Sequence, residues 1–142
     1  MMISKNVILI VIILLFCGCN SNLENCNCEQ IDLYVGSKSL LPFYPLTKKT
    51  YQNFDPVSIV DDLEIGSLIS KLSALNMGHQ EYTGNDHYLL EINCKFKNNL
   101  IVQLNREQTK VHTENFETSE ELYHLIENIE KRNNASKNDD IE

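Results

Sequence analysis

The chain has 142 residues, with 12 Lys and Arg against 20 Asp and Glu and a formal charge of −8. That length supports one ordinary domain. The acidic balance excludes a nucleic-acid or anionic-lipid surface, whose phosphates demand a basic stripe.

Met1 to Asn6 carries one cation, Lys5, and Val7 to Phe16 then runs without a polar side chain. A cation followed by about ten apolar residues has the form of a secretory signal, and a spanning helix needs ~20. The run gives way to polar Asn20-Ser21-Asn22. Phe16-Cys17-Gly18-Cys19 resembles the lipobox of bacterial lipoproteins, where a large apolar residue and two small ones precede a cysteine that receives diacylglycerol. The resemblance covers roughly the first 20 residues. It implies cleavage after Gly18, lipidation of Cys19, and an exported protein anchored in the cell envelope, on the periplasmic side or the outer surface. Cys17 does not fit, because bulky Phe16 would then sit directly before the cut. Two or more acyl chains make such an anchor durable where one holds only marginally. Loss of residues 1–18 removes Lys5 and leaves 124 residues, 11 basic against 20 acidic, a formal charge of about −9.

Residues 19–30 read as the lipidated cysteine and a polar spacer. Ile31, Leu33 and Val35 alternate with Asp32 and Tyr34, the period of a half-buried strand. Gly36 to Pro56 holds all three prolines and reads as an ordered extended loop, since each proline pushes its predecessor toward extended geometry. Asp61 opens a helix, with Glu64 completing a capping box. Ile65, Leu68, Ile69, Leu72 and Leu75 recur at helical spacing, and Gly78 stands where a C-terminal cap belongs. Gly66 with Ser67, Ser70 and Ser73 gives that helix a small polar face that suits a close backbone approach.

Tyr88 to Lys97 alternates as a strand, with Leu90, Ile92, Cys94 and Phe96 on one side. Leu100, Val102 and Leu104 follow in step. A Lys97-Asn98-Asn99 loop pairs Phe96 with Leu100, Cys94 with Val102 and Ile92 with Leu104, and keeps the apolar faces together. Asn99 is then expected in the left-handed conformation. Thr109 to Thr113 continues the meander. A second helix starts near Thr118 or Ser119, where Thr118 and Glu121 offer a second capping box, with Leu122, Leu125, Ile126 and Ile129 as its stripe. Residues 131–142 are polar and are expected to be a disordered tail. The expected fold class is α+β: a small, mainly antiparallel sheet in β-α-β-β-β-α order with two helices on one face, built from a single domain over residues 31–130.

After processing, Cys26, Cys28 and Cys94 remain, an odd number for an exported protein. Three readings stand: a buried apolar thiol at Cys94, a disulfide from Cys94 to Cys26 or Cys28, or a soft-metal site on Cys26-x-Cys28. The disulfide would close a loop of ~70 residues and contribute about 4 kcal/mol. His79, Glu81 and His87 lie in one loop where a metal could gather them, but Gly, Asn and Asp-rich loops carry such residues simply by turning. No hydrolase, zinc-protease or phosphate-loop motif is present. The acidic face of the last helix, Glu120, Glu121, Glu127 and Glu130, reads as solvated, with Glu127–Lys131 as a helical pair. Phe43, Tyr44, Tyr51 and Phe54 in the proline loop are candidate partner contacts, because aromatic anchors are enriched at interfaces.

The expected role is therefore binding and not catalysis, without a cofactor, by a domain tethered to the membrane through Cys19. An inhibitor of the immunity type, facing a basic protein partner, fits address and charge. A structural or assembly accessory of an envelope complex is the alternative, and an unrecognised hydrolase or metal-binding protein the third.

Overall fold

A computed structural model describes Leu23, residues 26–36, Tyr51, and residues 54–83, 87–95 and 98–140. Six antiparallel strands form one sheet: β1 (Cys28–Val35), β2 (Val57–Ile59), β3 (Tyr88–Cys94), β4 (Leu100–Leu104), β5 (Gln108–Val111) and β6 (Glu114–Glu117). Their spatial order is β2-β1-β3-β4-β5-β6. Two helices, α1 (Asp62–Ser73) and α2 (Glu120–Asp139), complete the described elements. The fold is α+β. No helix among the described residues is long and apolar enough to cross a membrane.

Period-two alternation decides which face each strand buries. Ile31, Leu33, Leu90, Ile92, Val102, Leu104 and Val111 point into the main core. Ile65, Leu68 and Leu72 of α1 and Leu122, Ile126 and Ile129 of α2 meet them, so both helices cover the same face. Asp61 caps α1, accepting from the Glu64 N–H at 2.9 Å. The Glu64 carboxylate does not reach back to close the box; it pairs with Arg132 on α2. Lys71 near the end of α1 meets Glu121 at the start of α2 at 3.4 Å. The two pairs together make the helices antiparallel.

Several elements depart from the sequence reading. α1 ends with Ala74 as its cap, and Gly78 serves another purpose. Met77 bridges to Phe116, and a Cβ on Gly78 would lie 3.3 Å from the Phe116 carbonyl carbon, a tight fit that a larger residue would meet only if the β6 backbone gave by a few tenths of an ångström. Of the two expected starts, Thr118 and Ser119, the second helix uses Ser119, which accepts from the Leu122 N–H at 3.2 Å in place of the Thr118 box. It runs to Asp139, so residues 131–139 of the expected tail are helical. Arg132 is held by Glu64 one helix away, and straight-chain Lys and Arg favour helix extension.

The β3–β4 register is Ile92↔Leu100, Leu90↔Val102 and Tyr88↔Leu104, four residues from the expected pairing. A shift of four preserves parity, so the same side chains still face the core. Asn93 and Cys94 pair with β1 and lie beyond the β3–β4 ladder. Asn99 is not left-handed; its amide donates to Glu91 and Asn93. β2 and β6 are additional to the expected order. β5 and β6 join through His112-Thr113, with His112 at φ 54°.

Candidate functional site

Cys26 and Cys94 form a disulfide, with Cα atoms 5.0 Å apart and 68 residues between them in sequence. This corrects both the buried-thiol reading of Cys94 and the soft-metal reading. The bond pins Leu23 and Cys26 into the main core, where they are 2% and 1% exposed. Cys28 keeps a free, half-buried thiol. Burial raises its pKa, its hydrogen bond to the Gln30 carbonyl opposes that, and neighbouring Glu29 adds to the rise.

Four polar side chains that the sequence did not connect form a chain between β3 and α2. Tyr88 Oη donates to Glu130 Oε2 at 2.6 Å, and His87 Nδ1 lies 2.7 Å from Tyr123 Oη. The Tyr88 and Tyr123 rings stack edge-on, with centroids 5.6 Å apart. Burial holds the Tyr88 phenol far above its ordinary value, and its bond to anionic Glu130 pushes the same way. Tyrosine hydroxyls taken into a core need such partners. The chain also removes Glu130 from the solvated acidic face, and Glu127 pairs with His124 at 3.3 Å instead of Lys131. With His87 held by Tyr123, the His79–Glu81–His87 grouping does not assemble. No group of three or more His, Cys, Asp or Glu among the described residues could hold a metal ion.

The face of the sheet turned away from α1 and α2 carries a different arrangement. Asp32 of β1 stands directly opposite Glu91 of β3. Like charges in that position repel and destabilise a sheet. Their surroundings are ordered by hydrogen bonds from four neighbours. Asp32 accepts from Gln30 Nε2 at 2.7 Å, Ser58 Oγ at 2.9 Å and Asn93 Nδ2 at 3.2 Å. Glu91 accepts from Asn99 Nδ2 at 3.1 Å, and that amide also meets Asn93 Oδ1 at 2.7 Å. Beside the carboxylates lies a second apolar cluster of Tyr34, Tyr51 and Leu89, with Ile101 packed on it.

The Tyr34 and Tyr51 rings sit 4.5 Å apart. Burial raises both phenols, and Glu91 raises both further, with Asp32 also acting on Tyr34. The negative field of the carboxylates therefore reaches across the aromatic pair. Tyr34, Tyr51 and Leu89 are themselves buried, at 9%, 3% and 0% exposed, so the two carboxylates border a covered cluster and not an open aromatic patch.

Of the sequence-predicted contacts, Tyr51 is 3% exposed and closes this second cluster, so it stabilises the fold and is corrected as a free anchor. Phe54 is 40% exposed, and its N–H bonds the Tyr51 carbonyl at 2.9 Å, which places it beside the same cluster. Phe43, Tyr44 and Cys19 lie outside the described residues. Asp32 and Glu91 were missed. Each reads as an outward strand position, and only the β1–β3 register reveals that they face one another.

A groove of about 550 Å³ runs along α1 past Gly66, Ser70 and Ser73 to Asn27 and Cys28. Among the described residues nothing outside the helix's own backbone lies within 4 Å of a Cβ built on Gly66, so no described backbone packs there, contrary to the sequence reading. A second hollow of about 490 Å³ is lined by His79, Gln80, Glu107, Gln108 and Thr118 among others. Neither brings together a nucleophile, a base and an orienting group in hydrogen-bond reach. Comparison with protein families, with curated proteins and with solved structures finds no match.

Proposed function

We propose that the chain is an exported, lipid-anchored binding domain that holds a basic partner protein against the outer sheet face, as an inhibitor of the immunity type does. The observation that carries this reading is the Asp32–Glu91 pair, two carboxylates opposed across neighbouring strands and fixed by hydrogen bonds beside an aromatic cluster. A lysine or arginine from a partner placed between them removes the repulsion and gains charge-assisted hydrogen bonds. The formal charge of about −9 on the processed chain, 11 basic against 20 acidic, steers a cationic protein toward the domain and keeps others off. Membrane attachment through Cys19 would hold the domain where an incoming envelope-directed protein must pass.

The test uses the full chain expressed in a bacterial host, as wild type and three variants. Cys19→Ser should move the protein from the membrane fraction to the soluble fraction. Wild type and Glu91→Lys are then compared as bait against envelope and secreted fractions, with Glu127→Lys on α2 as the charge-matched control. A stoichiometric basic partner bound by wild type and the control, and lost on Glu91→Lys, supports the reading. A partner held equally by all three moves the site away from this face. Capture of several envelope subunits together would favour an assembly accessory.

A further inference from the structure

Two cysteines compete for Cys94. Cys26 holds it in a disulfide, yet Cys28 is the residue paired with Cys94 across β1 and β3. Residues directly opposite in an antiparallel pair have Cα atoms about 4.5–5.5 Å apart. That spacing lies within the roughly 4.4–6.8 Å that disulfides accept. Cys28 and Cys94 both pack against the main core cluster, so their side chains share one face of the sheet. The Cys26 bridge closes a loop with a sequence separation of 68, and a Cys28 bridge would close one two residues shorter. The chain entropy of the two closures is thus nearly the same, and local packing decides between them.

Local backbone tells how Cys26 reaches the position that the sheet register gives to Cys28. Asn27, between the two cysteines, adopts φ 46°, a left-handed conformation unusual for a residue with a Cβ. The β1–β3 register also shifts between Cys28 and Gln30. A turn and a bulge fold the leader back so that Cys26, and not the in-register Cys28, meets Cys94. Cys28, half-buried, is one of the residues that line the groove along α1.

We propose that Cys26, Cys28 and Cys94 form a thiol–disulfide exchange relay in which Cys28 takes Cys94 from Cys26 and frees the leader from the sheet. Cys28 gives its proton to water, and its thiolate attacks Cys94 Sγ. The Cys28–Cys94 bond forms as the Cys26–Cys94 bond breaks, and Cys26 leaves with the electron pair and takes up a proton. Sulfur oxidation state is unchanged overall, so no external oxidant or reductant enters the balance. The product releases Cys26 and with it Leu23, which lines the groove, while Asn27 stays tied to the sheet through its carbonyl and Cys28. The relay therefore governs both how firmly the leader is tied down and how wide the groove opens.

The experiment is disulfide mapping on the intact, folded protein. The chain is incubated at mildly alkaline pH without added thiol, quenched with acid, alkylated with N-ethylmaleimide, and digested without reduction for mass spectrometry. The expected result is two linkage isomers, Cys26–Cys94 with alkylated Cys28 and Cys28–Cys94 with alkylated Cys26, their ratio reaching a plateau. Cys26–Cys94 alone at every time, or a Cys26–Cys28 bridge, overturns the relay. Cys26→Ser supplies an independent arm. It should form Cys28–Cys94 and keep most of the disulfide's stabilisation in urea. Two free thiols in a folded Cys26→Ser protein would also sink the proposal.

Discussion

Replacing Cys94 with alanine tests how much of the fold depends on one covalent tie. The bridge spans 68 residues and reaches from the leader to the end of β3. Closing such a loop removes ~15 cal/mol/K of entropy from the unfolded chain, which is about 4.4 kcal/mol at 25 °C. Whole domains are stable by only about 5–15 kcal/mol. Cys94→Ala should therefore remove a large share of the total. Few native contacts need change, because the effect resides mainly in the unfolded ensemble.

The assay is urea unfolding followed by circular dichroism for the oxidised protein, the fully reduced protein and Cys94→Ala. With a slope of ~2 kcal/mol/M, the midpoint should fall by about 2 M, and the reduced protein and the variant should agree. The slope itself should rise, since an uncrosslinked unfolded chain exposes more surface. A midpoint shift under ~0.5 M in both would refute the reasoning. It would mean that the unfolded chain already holds these segments together, or that the native bridge is strained by as much as it contributes.

Other consequences follow from single groups. Asn105 Oδ1 accepts from the Glu107 and Gln108 N–H groups, both at 2.8 Å, and the residue is 8% exposed. Asn105→Ala strands two donors at the β4–β5 turn and should destabilise by roughly 1–3 kcal/mol, with Asn105→Asp largely restoring the turn in thermal melts. Gly66→Ala, on a helix with open space at the new Cβ, should stabilise by about 0.5–1 kcal/mol; a loss would mean that something occupies the groove. Burial raises the Tyr34, Tyr51, Tyr88 and Tyr123 phenols. The unfolded chain releases these protons from about pH 10 while the folded chain keeps them, so stability is full below that value and declines as pH rises above it. The urea midpoint should drop between pH 9 and 11, more shallowly in Tyr88→Phe, and a flat profile would contradict the assignment.

What could be read from sequence is what local periodicity determines. The α1 stripe and its Asp61 cap lie within one window, so they were legible, as was the inward parity of β1, β3 and β4. The β3–β4 register was not. Parity restricts the pairing to steps of two, and the choice among them depends on Cys94 being held by β1 and Cys26. β2 has three residues, too few for alternation to show. β6 follows a turn built on His112, which lacks the Asn-Gly or Asp-Gly signal of a tight hairpin. Residues 131–139 have a disordered composition by the usual measure, but they continue a helix already anchored by Leu122, Ile126 and Ile129 and tied by Arg132 to Glu64.

The candidate site was hidden for a deeper reason. Asp32 and Glu91 are 59 positions apart, each in an ordinary outward place on an alternating strand, and polar outward residues carry no signal alone. Their meaning appears only when the register sets one against the other. Evolution has many neutral choices for such a pair, and a sheet selected for stability alone would place Thr, Lys or Gln opposite a carboxylate. Here four neighbours hold the two anions in place instead. Neutralising one of them, as in Glu91→Gln, should therefore make the free domain more stable and its complex with a basic partner weaker. Those two signs together distinguish a face kept for binding from one kept for folding, since a purely structural pair would lose stability when broken.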